Sequence, residues 1–116
     1  MFAFEKLDVY VKAHLLTQRV FKYSRNNRVN NIILDQLQRA VLSTVLNIAE
    51  GSGRQSLADC ERYYVIARSS TFEVVTTMQV LKSLSKIEPH EYEEYYQLCD
   101  EMSRMLLQMI KLHTTK

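Results

Sequence analysis

The sequence holds two glycines, one proline and no tryptophan in 116 residues. Glycine and proline open tight hairpins and long irregular loops, so a chain this poor in both does not read as a meander of short strands. Cysteine is also scarce. Cys60 and Cys99 lie too far apart for a CxxC pair, and two thiols make no disulfide scaffold. They read as free, buried small hydrophobes in a reducing cytoplasm. No apolar run approaches the length that spans a bilayer, and Glu5, Lys6 and Asp8 interrupt the start where a signal peptide needs unbroken apolar chain. The expected setting is soluble and cytoplasmic, without a membrane partner. A large excess of one charge is missing too: 15 Lys and Arg against 13 Asp and Glu leave a formal +2, short of the load that by itself commits a domain to DNA or RNA.

What remains is rich in helix formers, and 47% hydrophobic residues in 116 are enough for one core and too few for two. A single all-α domain over residues 1–116 is expected. Apolar positions recur at helical spacing in four segments. Val9, Ala13, Leu16 and Val20 place a first helix at 7–23. The Asn-rich run SRNNRVNN then breaks the pattern and offers an N-cap for a second helix at 31–50. Gly51 stands where a left-handed glycine commonly ends a helix. Ser56 and Asp59 have capping-box spacing and open a third helix at 56–86, and Pro89 followed by Glu91, Glu93 and Glu94 opens a fourth at 89–113. Short connections between amphipathic helices predict an antiparallel up-and-down four-helix bundle.

Helices two and three carry more than one stripe. On the second, Leu34, Leu37, Val41, Val45 and Ile48 form the core line, while Gln36, Arg39, Ser43, Asn47 and Glu50 read as a solvated face. Leu42, Leu46 and Ala49 make a further partial stripe. On the third, Val65, Phe72 and Val75 lie off the core line. Apolar surface that one bundle cannot cover predicts a contact face, here a homo-oligomer interface through Leu42, Leu46, Val65, Phe72 and Val75. A monomeric or dimeric adaptor gripping a protein partner through the same face is the alternative.

Two stretches, the run Leu34, Gln36, Arg39, Ala40 and Ser43 leading into NIAEGSGRQS (47–56), and RYYVIARSSTFE (62–73), together with the opening FEKLDVYVKA (4–13), resemble the four-helix-bundle family of 23S ribosomal RNA intervening sequence proteins, also labelled S23 ribosomal protein. The sequence departs from that family at Asp59, Ser69 and Tyr10, where Glu, Gly and Trp are usual, and Ser69 is expected at a close helix contact. The resemblance implies a homopentamer without enzymatic activity, distantly related to nucleic-acid-binding accessory proteins of diversity-generating retroelements.

Candidate chemistry is sparse. Asn47, Glu50, Gly51, Arg54 and Ser56, with Arg39, surround the turn between the second and third helices. They form either a structural lock or an anion site built from a guanidinium and free backbone donors. The segment GSGR lacks the Gly-Lys-Ser/Thr ending of a phosphate loop. His14, His90 and His113 fall on separate segments and none follows a Glu by three, so no di-iron centre is expected. No catalytic set, metal or cofactor is expected. Lys12, Arg19, Lys22, Arg25 and Arg28 cluster in and after the first helix and are the candidate contacts for RNA or DNA, made multivalent by an oligomer.

Overall fold

The computed structural model describes the backbone of residues 1–114 and the side chains of residues 1–112. A short 3-10 turn, Ala3–Lys6, precedes four helices: α1 (Asp8–Asn26), α2 (Asn31–Ser52), α3 (Leu57–Ser83) and α4 (Pro89–Thr114). Each helix packs against two neighbours in the cycle α1, α2, α3, α4, and neither diagonal pair is in close backbone contact. The cross-section is therefore a square. Direction follows from the pairs that meet. Lys12 reaches Glu101 while Arg19 reaches Glu94, so α1 and α4 run opposite ways. Ser43 meets Ser70 while Gly51 meets Tyr64, which sets α2 against α3. Arg68 meets Ser103 while Lys82 lies over Tyr92, which sets α3 against α4. The up-and-down bundle read from periodicity is the fold observed.

The core is the sum of four stripes. Leu16, Leu37, Ile48, Met78, Leu81, Met102 and Leu106 are its largest fully buried side chains, each removing about 1.5–3 kcal/mol worth of apolar surface from water. Polar groups inside it are satisfied locally: Thr44 and Thr71 donate to the carbonyls of Ala40 and Ala67, one turn back. Two tyrosines tie α1 to the α3–α4 connection and to α4. The Tyr23 hydroxyl donates to the Lys86 carbonyl at 2.6 Å, and the Tyr95 hydroxyl donates to the Arg19 carbonyl at 2.9 Å. Burial raises both phenols above the usual tyrosine range, and it pushes the Cys99 thiol up to about 12. Cys60 and Cys99 are both free and buried. Cys99 is thus a protonated small hydrophobe at neutral pH.

The helix ends differ from the sequence expectation for identifiable reasons. α1 runs three residues further, to Asn26, because Ser24 and Asn27 turn back to bond the carbonyls of Val20 and Tyr23 and so support the helix they were expected to break. The Asn30 side chain caps α2 and Ser56 caps α3, as Asn and Ser at such positions commonly do. α2 continues through Gly51 to Ser52, and neither glycine has a positive φ. The left-handed terminator is found elsewhere. α3 stops at Ser83, short of Lys86, in a Schellman turn: Lys86 N–H donates to the Leu81 carbonyl and Ser85 N–H to the Lys82 carbonyl, with Ser85 at φ 57°.

A serine in that conformation carries Cβ strain that glycine lacks. Ser85→Gly is expected to raise stability by roughly 0.5–1 kcal/mol and Ser85→Val to lower it, both read from urea unfolding midpoints at unchanged slope.

Candidate functional site

At the α2–α3 turn the backbone of α2 comes unusually close to α3. A Cβ placed on Gly51 would lie 2.7 Å from Tyr64 Cε1 and 3.1 Å from Tyr63 Cβ. The glycine is there for close approach, not for a left-handed turn. Beyond it, Arg54 Nη2 donates to Glu50 Oε2 at 2.6 Å and to the Tyr63 hydroxyl at 2.9 Å. The Arg54 guanidinium stacks over the Tyr63 ring at 4.7 Å and the Arg62 guanidinium at 4.9 Å. The bond to Glu50 raises the Arg54 pKa further above its already high value. Cys60 Sγ donates to the Arg54 carbonyl, and Ser56 Oγ accepts from Asp59 N–H. Glu50, Gly51, Arg54 and Ser56 therefore gather at one turn. Asn47 does not reach it: its amide donates to the carbonyl and Oγ of Ser43. Arg39 lies several turns away, exposed and with no carboxylate within 4 Å among the described residues. An incoming anion would have to displace Glu50 from Arg54.

The polar line on α2 is not simply a solvated face. Ser43 Oγ and Ser70 Oγ are 2.7 Å apart, Ser70 is buried, and Asn47 caps the pair from one turn on. Together they make a narrow hydrogen-bonded seam between α2 and α3. The small residue at that contact is Ser70; Ser69, expected there, is exposed.

Among the exposed apolar residues, two groups lie on opposite sides of the square. Leu42 and Leu46 are exposed on α2, Leu46 by 61%. Leu46 borders a groove of about 630 Å³ shared with Phe2, Phe4 and Ala49, so this patch belongs to the α1–α2 side. The aromatic run continues through Phe4, 4.8 Å from Tyr10, and Tyr10, 6.0 Å from His14. Phe72, 47% exposed, and half-buried Val75 border a second groove of about 380 Å³ with Tyr96 and Cys99, on the α3–α4 side. Arg68 lies over the Phe72 ring at 4.8 Å while donating to the Ser103 carbonyl. Val65 and Ile66 are exposed on the same helix. A single adaptor face uniting Leu42, Leu46 and Phe72 is therefore not what the fold builds, because adjacent helices in a square turn their flanks to different sides. Phe2, Phe4 and Tyr96 joined these patches unannounced; a lone aromatic beside a helix has no periodicity to betray it.

The basic cluster also divides. Lys12 is 2.7 Å from Glu101 and Arg19 is 3.4 Å from Glu94, both at half-exposed positions where pairing contributes little beyond neutralisation. Lys22, Arg25 and Arg28 are exposed with no carboxylate within 4 Å among the described residues. Also among the described residues, no three His, Cys, Asp or Glu side chains gather as a metal site, and no helix is long and apolar enough to cross a membrane.

Comparison with known proteins agrees with this picture at the level of family and fold. The sequence profile described as 23S rRNA-intervening sequence protein matches residues 5–108. A crystal structure of a protein of unknown function from the S23 ribosomal protein family of Bacteroides thetaiotaomicron is similar with a TM-score of 0.83, at 24% identity over 89% of this chain and 98% of that one. At that identity the likeness speaks for the fold. Among curated proteins no relative matches.

The Gly51 contact yields a direct test. Gly51→Ala is expected to cost about 1–3 kcal/mol, because the new methyl meets the buried Tyr64 ring and the neighbouring Tyr63 Cβ rather than the free end of a flexible chain. Gly53→Ala, where a Cβ finds only backbone carbonyls at 3.7 Å or beyond, is the control and should change the unfolding midpoint little.

Proposed function

This chain belongs to the 23S rRNA-intervening sequence protein family, and on that premise we propose that it is a self-associating helical bundle, a homopentamer that serves as a non-enzymatic accessory or scaffold protein and contacts nucleic acid. The observation that carries the reading is the exposure of Leu42, Leu46, Val65 and Phe72 on a bundle whose core is already filled by other residues. Large apolar side chains grouped beside grooves are costly to leave in water and mark contact surfaces. The number five comes from the family resemblance; the apolar faces support association of some order. Light scattering is expected to return about five times the 13.6 kDa chain mass, and a species of one chain mass across the working concentration range would refute self-association.

Nucleic-acid contact is supported by Lys22, Arg25 and Arg28, the cations of the cluster with no carboxylate within 4 Å among the described residues. Three such groups per chain are a weak phosphate footprint alone, but they multiply in an assembly. Affinity for structured RNA or duplex DNA should fall steeply with salt. Replacing Arg25 with Ala should weaken binding and reduce the magnitude of the log–log salt slope by about 1 per chain engaged. Lys12→Ala, which removes a cation already held by Glu101, should change that slope less.

A further inference from the structure

The carboxylates pair with the cations of this protein unevenly. Lys12, Arg19, Arg54, Arg62 and Arg104 each lie within 4 Å of one. Among the described residues Lys22, Arg25, Arg28, Lys82 and Lys86 do not, and all five are exposed at the same end of the bundle, where α1 and α3 finish and α2 and α4 begin. Two observations join them into one surface. The Tyr23 hydroxyl reaches the Lys86 carbonyl, and a recess of about 200 Å³ is lined by both Arg28 and Lys86. Because α1 and α3 are diagonal partners in the square, the five form a stripe that starts at the α1 corner, crosses the two connections and ends with Lys82 at the α3 corner. The acids of this end are Glu88 and Glu91, which border the recess at the α4 corner, and Asp35 on α2. Helix dipoles account for Arg25 and Lys82, in the last turns of α1 and α3. They do not account for Arg28 and Lys86, which lie beyond the helices on the connections.

We infer that this diagonal stripe is the nucleic-acid surface, and that it grips the paired phosphate backbones of a double helix without reading bases. The inference rests on the nucleic-acid contact proposed above and adds to it Lys82, Lys86 and the form of nucleic acid held. Helix axes packed about 8–10 Å apart put α1 and α3 about 11–14 Å apart across the diagonal. The major groove of B-form DNA is about 12 Å wide, so cations at the two ends of the stripe can meet opposite strands. The Lys82 ammonium is held over the Tyr92 ring at 4.5 Å, which orders it without neutralising it. Single strands are held differently, by exposed rings on which unpaired bases stack. The tyrosines at this end, Tyr23, Tyr92 and Tyr95, are buried, and the exposed apolar residues there, Ile32 and Leu84, have no ring. The exposed rings of Phe2, Phe72 and Tyr96 belong to the two flanking patches. Cations without a stacking platform contact phosphates, which position a protein without specifying sequence.

Titrating a short labelled DNA duplex, and separately one of its strands, with the parent protein and its variants tests the stripe. The parent is expected to hold the duplex more tightly than the single strand at the same salt. Lys86→Ala should reduce the magnitude of the log–log salt slope by about 1 per chain engaged, and Lys82→Ala combined with Lys86→Ala by about 2. Arg39→Ala, which removes an exposed cation from the middle of α2, should leave the slope unchanged. Both lysines are exposed, so the variants should keep the helical circular dichroism of the parent. If the double variant does not, Lys86→Ala alone carries the comparison, since the bonds of Lys86 to Leu81 and Tyr23 use only its backbone. If Arg25→Ala weakens duplex binding while Lys86→Ala acts no differently from Arg39→Ala, or if the single strand is held as tightly as the duplex, the stripe is overturned and nucleic-acid contact stands. If the parent binds neither at low salt, both fall.

Discussion

A helix at the corner of a four-helix square turns only part of its circumference toward the shared core, and that limit governs this protein. Every helix leaves large apolar residues outside the inward arc, Val11 and Leu15 on α1 and Tyr96 and Leu112 on α4 among them, and α2 and α3 leave more. Their inward lines, Val41 and Ile48 or Val74 and Met78, are almost wholly buried, yet both helices carry further large apolar residues on the flanks. The fold cannot absorb them by rotating either helix, since Gly51 against Tyr64 and Ser43 against Ser70 fix how α2 and α3 face one another. The surplus is held outward by the same contacts that close the core.

That fixed orientation explains why small and polar residues matter as much as large ones here. Gly51 admits the Tyr64 ring, the Ser43–Ser70 pair brings two backbones together through hydroxyls, and Asn47 completes the seam. The Arg54–Glu50–Tyr63 cluster then clasps the end of the same interface. The NIAEGSGR stretch is in this sense one mechanical unit, which sets the angle between two helices and ends the first of them.

Much of the fold was legible in the sequence because burial follows a 3.6-residue period and the caps Asn30 and Ser56 lie where polar residues interrupt it. Three features escaped for physical reasons. A periodicity reading assigns every polar line to solvent, so Ser43 and Asn47 looked exposed although Ser43 bonds to Ser70 across the helix pair and Asn47 bonds back to Ser43. Glycine suggests a left-handed turn, but Gly51 is needed for proximity, while the left-handed position fell to Ser85, whose side chain gives no such signal. Surface patches depend on which flanks become neighbours, and a one-dimensional stripe does not say that Leu46 and Phe72 end on opposite sides. The charged cluster was legible in composition, but the loss of Lys12 and Arg19 to Glu101 and Glu94 comes only from the packing of α1 on α4.

The seam between α1 and α4 has the sparsest backbone approach of the four, and it carries the Tyr95 hydroxyl bond to Arg19 and two exposed ion pairs, while Tyr23 reaches the α3–α4 connection at Lys86. Such a join opens more cheaply than the others, since its bonds exchange readily for bonds to water. α1 is thus the stave held most lightly along one edge, although Val9, Ala13, Leu16 and Val20 seat it in the core, and its amide protons are expected to trade with solvent before those of the other three helices.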